Sequence, residues 1–496
     1  MAGAVVILGG SLLMTSGPAM DQNDLLDWSA YDFPPSPPPD TGPSDPATIL
    51  MYVLSDEYPT SGGSPAEAAL NTVVRRRDTR FVPVLIELVR ANQLSVSRGA
   101  GLEANVAALE SLSGRSFGAD WPAWVEWYGR TDLRAPPGFT GWKGRLLGRI
   151  DPGFEEFLPD GVEARIRVEE VLWGGVSVDG IPALDRPSVL PAEEAGYLQP
   201  GEPVFGISIG GESRAYPLRI MDWHEMVNDV VGGVPFSLAY CTLCGSGIAF
   251  DQRTADGMAF TFGSSGLLYR SNKLMYDRQT RSLWNQFTGE PVIGDLVGTG
   301  IQLRRLPVVV TSWQAWREQH PETTVLDIST GFDRRYELGA AYGEYFASPA
   351  TLFPVPVRSE RLPPKERVYG LTVGDASVAY PVGVLSSRRV TNDVVGTTPV
   401  ALVATRGSLT VHPDGAGADS VYEAGGEVRA YASGGRLFRP GPDPGTVLDS
   451  GGGEWVVTEG ALLGPEGERL ARLNGILSYW FAWFEFFPRT TVYSDG

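Results

Sequence analysis

The chain has two cysteines among 496 residues, and both fall in one run, Tyr240-Cys241-Thr242-Leu243-Cys244-Gly245. A protein of this length that used disulfides as staples would spread several pairs over its loops. A lone Cys-x-x-Cys suits thiol exchange or capture of a soft metal instead. One of only three histidines lies just upstream, in Asp222-Trp223-His224-Glu225. Two thiolates, an imidazole and a thioether form a soft donor set that favours Cu(I), with zinc as the alternative and Mg(II) or Ca(II) mismatched. His224, Cys241 and Cys244 are therefore the expected metal ligands and, for a redox reaction, the expected catalytic residues. Met275 is an optional fourth donor, and Met221 stands one helical turn before His224. Structural zinc would want four Cys or His ligands, and only three are near. Glu225, Asp229, Arg270 and Asp277 are the polar residues expected to orient the ligands or hold a cofactor.

Two further classes fit the same residues. In a metal-free thiol-disulfide oxidoreductase Cys241 attacks, Cys244 resolves, and His224 or a helix terminus lowers a thiol pKa. In a non-catalytic module the pair is buried and inert, and a β platform binds a partner. Hydrolysis has little support, because Gly263-Ser264-Ser265-Gly266 is not a nucleophile elbow. A redox partner or a metal donor is the partner class that the first two chemistries require.

An internal comparison separates scaffold from chemistry. Residues 203–240 align without gaps to 367–404, with 14 of 38 positions identical, so one fold has been built twice. Ala215-Tyr216-Pro217 recurs as Ala379-Tyr380-Pro381, and Asn228-Asp229-Val230-Val231-Gly232 as Asn392-Asp393-Val394-Val395-Gly396. Such shared pieces serve turns and packing. Cys241, Cys244 and His224 face Thr405, Ser408 and Arg388, so the chemistry-bearing set is missing from the second copy as a group. Downstream, Trp316 matches Trp483, Trp284 aligns with Trp455, and Arg270 and Asp277 show no clear counterpart.

The elements that must position these residues are read from periodicity. Phe81, Val84, Leu85, Leu88 and Val89, then Leu102, Val106 and Leu109, fall at helical spacing, a hairpin of the HEAT type. Beyond Pro136 the apolar pattern alternates over short runs punctuated by Gly, Asp and Pro, which reads as strand at Val162–Val168, Pro203–Ile209, Val234–Ala239, Met258–Phe262 and Gln302–Leu306. A helix over Leu218–Val227 and a turn at Asn228-Asp229 would place His224 beside the loop that carries the cysteines. The fold class is therefore α+β and mainly β: a helical unit at 47–135, a first β-rich repeat at 150–345 and a second, degenerate one at 346–496.

Composition limits the partners. A net charge of −19 with only three lysines argues against nucleic acid and against anionic lipid. Residues 1–20 carry a short apolar run like a secretory leader, and 21–46 form a proline-rich tether. Together they indicate an extracytoplasmic protein. No later run is apolar and long enough to span a bilayer.

The runs DWHEMVND, YCTLCGSGIAFD and GSSGLLYRSNKLMYDRQTRSLW, with Asp179-Gly180-Ile181-Pro182-Ala183-Leu184 and Leu352-Phe353-Pro354-Val355-Pro356, resemble domain-of-unknown-function family 3179 over roughly 162–496. That resemblance implies a bacterial or archaeal, often exported setting and no particular reaction. Copper-dependent redox chemistry or copper handling outside the cytoplasm is the function expected from the donor set.

Overall fold

The computed structural model describes residues 5–8, 11–14, 45–56, 64–255, 257–414 and 421–494. Most of the leader-like and proline-rich segments lie outside these. Val5–Leu8 and Ser11–Met14 pair as a short antiparallel hairpin. The fold is α+β with strand outweighing helix, the helices coming first. Two compact units are present: residues 1–124 with 132–161 and 173–177, and residues 125–131 with 162–172 and 178–496.

The first unit is built from helices Pro46–Val53, Pro65–Arg76, Val82–Gln93, Leu102–Ser113, Phe139–Gly148 and Gly153–Phe157. Local signals start and stop them. Ser64 and Glu67 make a reciprocal capping box ahead of Pro65, satisfying two N–H groups that the first turn leaves unpaired. Gly114 ends Leu102–Ser113 in the left-handed region. Phe81, Val84, Leu85, Leu88 and Val89 are all buried, as their spacing requires. Helix persists beyond residue 135 because Phe139, Trp142, Leu146 and Leu147 form one more buried stripe.

The second unit contains both repeats, and their strands follow one plan. In the first lobe Val309–Ser312, Pro203–Ile209, Glu212–Pro217 and Thr324–Leu326 lie in that order in one sheet; in the second, Ile476–Tyr479, Arg367–Val373, Ala376–Pro381 and Thr491–Val492 repeat the order. Both pairings with the last strand are parallel. At Gly206 and Gly370 an added Cβ would come within 2.3 Å of Trp316 and Trp483, so each sheet accepts the indole of its own C-terminal helix only where the strand has no side chain. Each indole N–H then reaches a threonine seven residues on, Thr323 at 2.8 Å and Thr490 at 3.1 Å.

The second sheet of each lobe begins at the shared Asn-Asp-Val-Val-Gly run. These residues are strand, Met226–Val231 and Val390–Val395, and the turn comes after them at Gly232 and Gly396. The helix before them is correspondingly shorter than its apolar pattern indicates, Leu218–His224, because Glu225 adopts φ 53°. Asn228 exchanges hydrogen bonds with the backbone of Phe262, and Asn392 does so with Phe438. In the second lobe this contact joins the ends of an eight-stranded, nearly closed sheet running from Val390–Val395 to Phe438–Pro440.

Three segments read as strands differ. Val162–Val168 contributes one isolated bridge, Ala164 to Ile293. The strand expected at Met258 starts at Phe262, and that at Gln302 is reduced to Arg305–Leu306. Their alternation is real, but no neighbouring strand supplies a ladder along their length.

Candidate functional site

Cys241 is the last residue of strand Val234–Cys241, and Cys244 closes the turn into Ser246–Asp251. Gly245 completes that turn with φ 61°, where an added Cβ would meet the Arg367 guanidinium at 1.9 Å, so glycine is required twice over. The Cys241 thiol donates to Cys244 Sγ at 2.8 Å, and the Cys244 thiol donates to the Ser271 carbonyl at 3.3 Å. Asn272 Nδ2 donates to Cys244 Sγ at 3.3 Å. Both residues are free thiols, with relative exposures of 2% and 0%. Burial and the neighbouring Cys241 thiol hold the Cys244 pKa well above the ordinary thiol value.

The carbonyls of the turn are held from outside the first lobe's own sheets. Tyr345 Oη donates to Leu243 O at 2.6 Å, Tyr479 N to Cys244 O at 2.8 Å, and Arg367 Nη1 to Gly245 O at 3.0 Å. The Arg367 guanidinium also lies over the Tyr479 ring, 4.0 Å from its centroid. Arg367 and Tyr479 belong to the second lobe; the segment joining the lobes supplies Tyr345. The turn is thus fixed in backbone conformation while its two sulfurs face each other.

Glu225 reaches this site and His224 does not join it. The helix ends at His224, and the left-handed Glu225 sends the next side chain in another direction. Glu225 accepts from Thr242 Oγ1 at 2.8 Å and pairs with Lys273 at 3.1 Å, all three buried. His224 Nδ1 bonds the Pro182 carbonyl at 2.8 Å, which fixes a proton there, so Nε2 accepts from Tyr336 Oη at 2.6 Å. Burial lowers its pKa to about 4, and the ring is neutral at physiological pH. With both nitrogens engaged, His224 is not turned to the sulfurs. Among the described residues no group of three His, Cys, Asp or Glu side chains is placed to hold a metal ion.

The remaining candidates are braces in this structure. Asp229 accepts from Arg214 at 2.6 Å and Tyr216 at 2.7 Å, and its duplicate Asp393 accepts from Tyr380 at 2.8 Å. Asp277 accepts from Trp284 Nε1 at 2.8 Å, and Asp449 from Trp455 Nε1 at 3.0 Å. Asp277 therefore has a structural counterpart, hidden in the sequence by a one-residue change in spacing. Arg270 pairs with Glu170 at 2.8 Å and donates to the Glu485 carbonyl at 3.1 Å. Met275 lies in the apolar core, opposite Ser264 and Trp284 in register.

Several site residues escaped the sequence reading. Asp222 is buried, and burial raises its pKa to about 8 despite a hydrogen bond from Tyr240. Lys273 carried a signal: it is one of three lysines in a chain whose other cations are arginines. Arg367 and Tyr479 carried one too, since Pro203 and Ser312 occupy those positions in the first copy.

No curated protein and no solved structure matches the chain. The family model described as "Protein of unknown function (DUF3179)" matches residues 178–490, which include most of both lobes and the cysteine turn. The chain belongs to the DUF3179 family.

Proposed function

We propose that Cys241 and Cys244 form a dithiol-disulfide couple and that the protein is a thiol-dependent oxidoreductase. The observation that carries this reading is the 2.8 Å approach of two buried thiols in a turn whose carbonyls are already fixed. A site that disfavours thiolate tolerates the two uncharged forms of such a couple, dithiol and disulfide. In the exchange the partner is a disulfide R–S–S–R. Its sulfur is attacked by Cys241, releasing one R–SH; Cys244 then attacks Cys241 sulfur, releasing the second. Two electrons pass to the partner, and its two thiols carry away the two protons.

Capture of Cu(I) is the second reading, supported by the softness of the two sulfurs. Two sulfurs on one tetrahedral metal at about 2.3 Å stand roughly 3.8 Å apart, so the pair would have to spread and ionise, and His224 would have to leave Pro182 and Tyr336. In either reading the protein works outside the cytoplasm, as its leader-like start and proline-rich tether indicate.

Alkylation and mass measurement of protein purified without reductant or chelator, before and after dithiothreitol, tests the proposal. The wild type should gain two reactive thiols on reduction and lose them on oxidation, with no change in oligomeric state. Cys241→Ser and Cys244→Ser should each abolish the cycle, and Thr405→Ala and Ser408→Ala should leave it intact. Thiols that never interconvert would overturn the couple; stoichiometric copper that blocks alkylation would establish the second reading in its place.

A further inference from the structure

Three hairpins of the first lobe close on two-residue turns, between Ile209 and Glu212, Val231 and Val234, and Tyr269 and Asn272. In all three, both central residues have positive φ, a backbone that glycine adopts freely and side chains resist. Two of the turns are Gly210-Gly211, at φ 60° and 88°, and Gly232-Gly233, at 55° and 73°. An added Cβ at Gly211 or Gly233 would meet nothing within 4 Å, so glycine stands there for the backbone alone. The third turn is Arg270-Ser271, at φ 49° and 61°. It holds two strained residues in succession, and it is this turn that touches Cys244.

Strain of this kind persists only where surrounding contacts outweigh it. Arg270 Nε pairs with Glu170 at 2.8 Å, and its Nη1 donates to the Glu485 carbonyl at 3.1 Å. Ser271 Oγ donates to the Pro354 carbonyl at 2.6 Å, and Asn272 Nδ2 to Gln286 Oε1 at 2.9 Å. The other anchors are to sulfur: the Cys244 thiol donates to Ser271 O, and Asn272 Nδ2 donates to Cys244 Sγ, both at 3.3 Å. Of these anchors only the thiol proton can be removed by a reaction at the site. When Cys244 enters a disulfide its sulfur has no proton to donate, and the carbonyl of buried Ser271 loses that partner. In the second lobe the corresponding hairpin, Phe438–Pro440 with Thr446–Asp449, is closed by a longer loop that contains Gly441 and Gly445.

We propose that the Arg270-Ser271 turn is a redox-sensitive latch on the dithiol, closed by the Cys244 thiol in the reduced protein and released when Cys241 and Cys244 form a disulfide. This rests on the dithiol reading. The releasing step is the second half of the exchange: Cys244 sulfur bonds to Cys241 sulfur, the bond from Cys241 to the partner's sulfur breaks, and the proton that Cys244 shared with Ser271 leaves on the second R–SH. The strain of the turn then acts against one anchor fewer. An order of events follows. The sulfurs of the reduced protein are buried, so the site is closed between encounters. After oxidation the turn lets the spent partner leave and admits two thiols R′–SH, which restore the dithiol and depart as R′–S–S–R′. Reduction returns the S–H donor, and the turn closes again.

The test is hydrogen exchange of the full chain, read by mass spectrometry over residues 266–276, in protein reduced with dithiothreitol and in protein oxidised with diamide, the thiols of each being counted first. Exchange there reports local opening. Losing one hydrogen bond corresponds to about three- to tenfold, so the oxidised turn should exchange faster by that factor. Peptides over 207–214 and 229–236, which hold the two glycine turns, should not change. Cys244→Ala removes the donor without any disulfide and should exchange fast at the turn even under dithiothreitol; Cys244→Ser restores an O–H donor and should match the reduced wild type. An oxidised wild type with no free thiols and an unchanged turn overturns the latch and leaves the couple standing. Equal acceleration at the glycine turns marks general loosening and overturns it too, as does a Cys244→Ala turn that exchanges as slowly as the reduced wild type. Two free thiols after diamide refute the couple, and the latch with it; the count tells that failure from the others before exchange is measured.

Discussion

Two copies of one fold treat the same hairpin differently. In the first lobe the chain turns at Cys241–Cys244 between strands Val234–Cys241 and Ser246–Asp251; in the second it runs through Thr405 and Ser408 within the single strand Thr398–Val411. The place of the sulfurs is taken there by buried ions. Thr405 Oγ1 accepts from Arg429, which lies between Glu427 at 2.6 Å and Glu459 at 2.5 Å. The next hairpin is reversed in proportion. Phe262–Tyr269 and Asn272–Asp277 are long where Phe438–Pro440 and Thr446–Asp449 are short, and the extra length brings Ser271, Asn272 and Lys273 to the cysteines and Glu225. Duplication kept the braces, Tyr216 with Asp229 and Trp284 with Asp277, and divergence worked on hairpin length. Chemistry in this protein is a property of which hairpin is extended.

The largest consequence of that asymmetry is a pH dependence at Asp222 that its counterpart position in the second lobe lacks. Asp222 is held protonated up to about pH 8 by burial, and Ser386 takes its place in the second lobe. Its folded pKa is raised, so between about pH 4 and pH 8 the unfolded chain has released a proton that the folded chain retains. Stability therefore falls as pH rises through that window, by about 1.4 kcal/mol per pH unit at the steepest, and levels off above it. Asp222→Asn should remove this component and gain several kcal/mol over wild type near pH 8, with little difference at pH 4. Urea unfolding at several pH values checks it. Parallel curves for mutant and wild type would mean that Asp222 is ionised and solvated, and that the two lobes do not differ in this respect.

The braces allow a finer comparison. Asp229 and Asp393 hold equivalent tyrosines, but Asp229 is buried and also carries Arg214 at 2.6 Å. Asp229→Asn leaves that guanidinium without its charge partner and should cost about 3 kcal/mol. Asp393→Asn should cost about 1 kcal/mol, the net value of one hydrogen bond. Equal losses in chemical denaturation would show that Arg214 contributes nothing to the pair.

The duplication, the β-rich class, the helical stripes and the cysteine turn were legible because each rests on short-range pattern or on identity between copies. Asn and Asp favour turns, so the sequence predicts one at Asn228-Asp229. The structure uses Asn228 and Asp229 as strand residues whose side chains bond to Phe262 and Tyr216, a tertiary use that local propensity does not encode. His224 groups with the cysteines in sequence because all three are missing together from the second copy. Joint absence reports a joint role only when the side chains converge, and a one-residue left-handed step at Glu225 separates them. Arg367 differs from Pro203 in the first copy, but nothing in the sequence says that it acts in the lobe opposite its own, on Gly245 O.

The smallest effect tests His224 itself. Tyr336 and Tyr493 are matched probes: the first donates to buried His224 at 2.6 Å, and the second accepts from the exposed Arg388, which occupies the His224 position in the second lobe, at 2.9 Å. Tyr336→Phe strands a buried imidazole nitrogen and should cost about 1 to 2 kcal/mol. Tyr493→Phe acts at an exposed pair and should fall within about 0.5 kcal/mol of wild type. Because His224 braces the segment at Tyr336 and does not act on the sulfurs, Tyr336→Phe should leave the rate of reaction of the reduced cysteines with a small disulfide unchanged once protein is compared under fully folding conditions. A rate that rises or falls several-fold while stability is preserved would return His224 to the cysteine site, and with it the three-ligand metal reading.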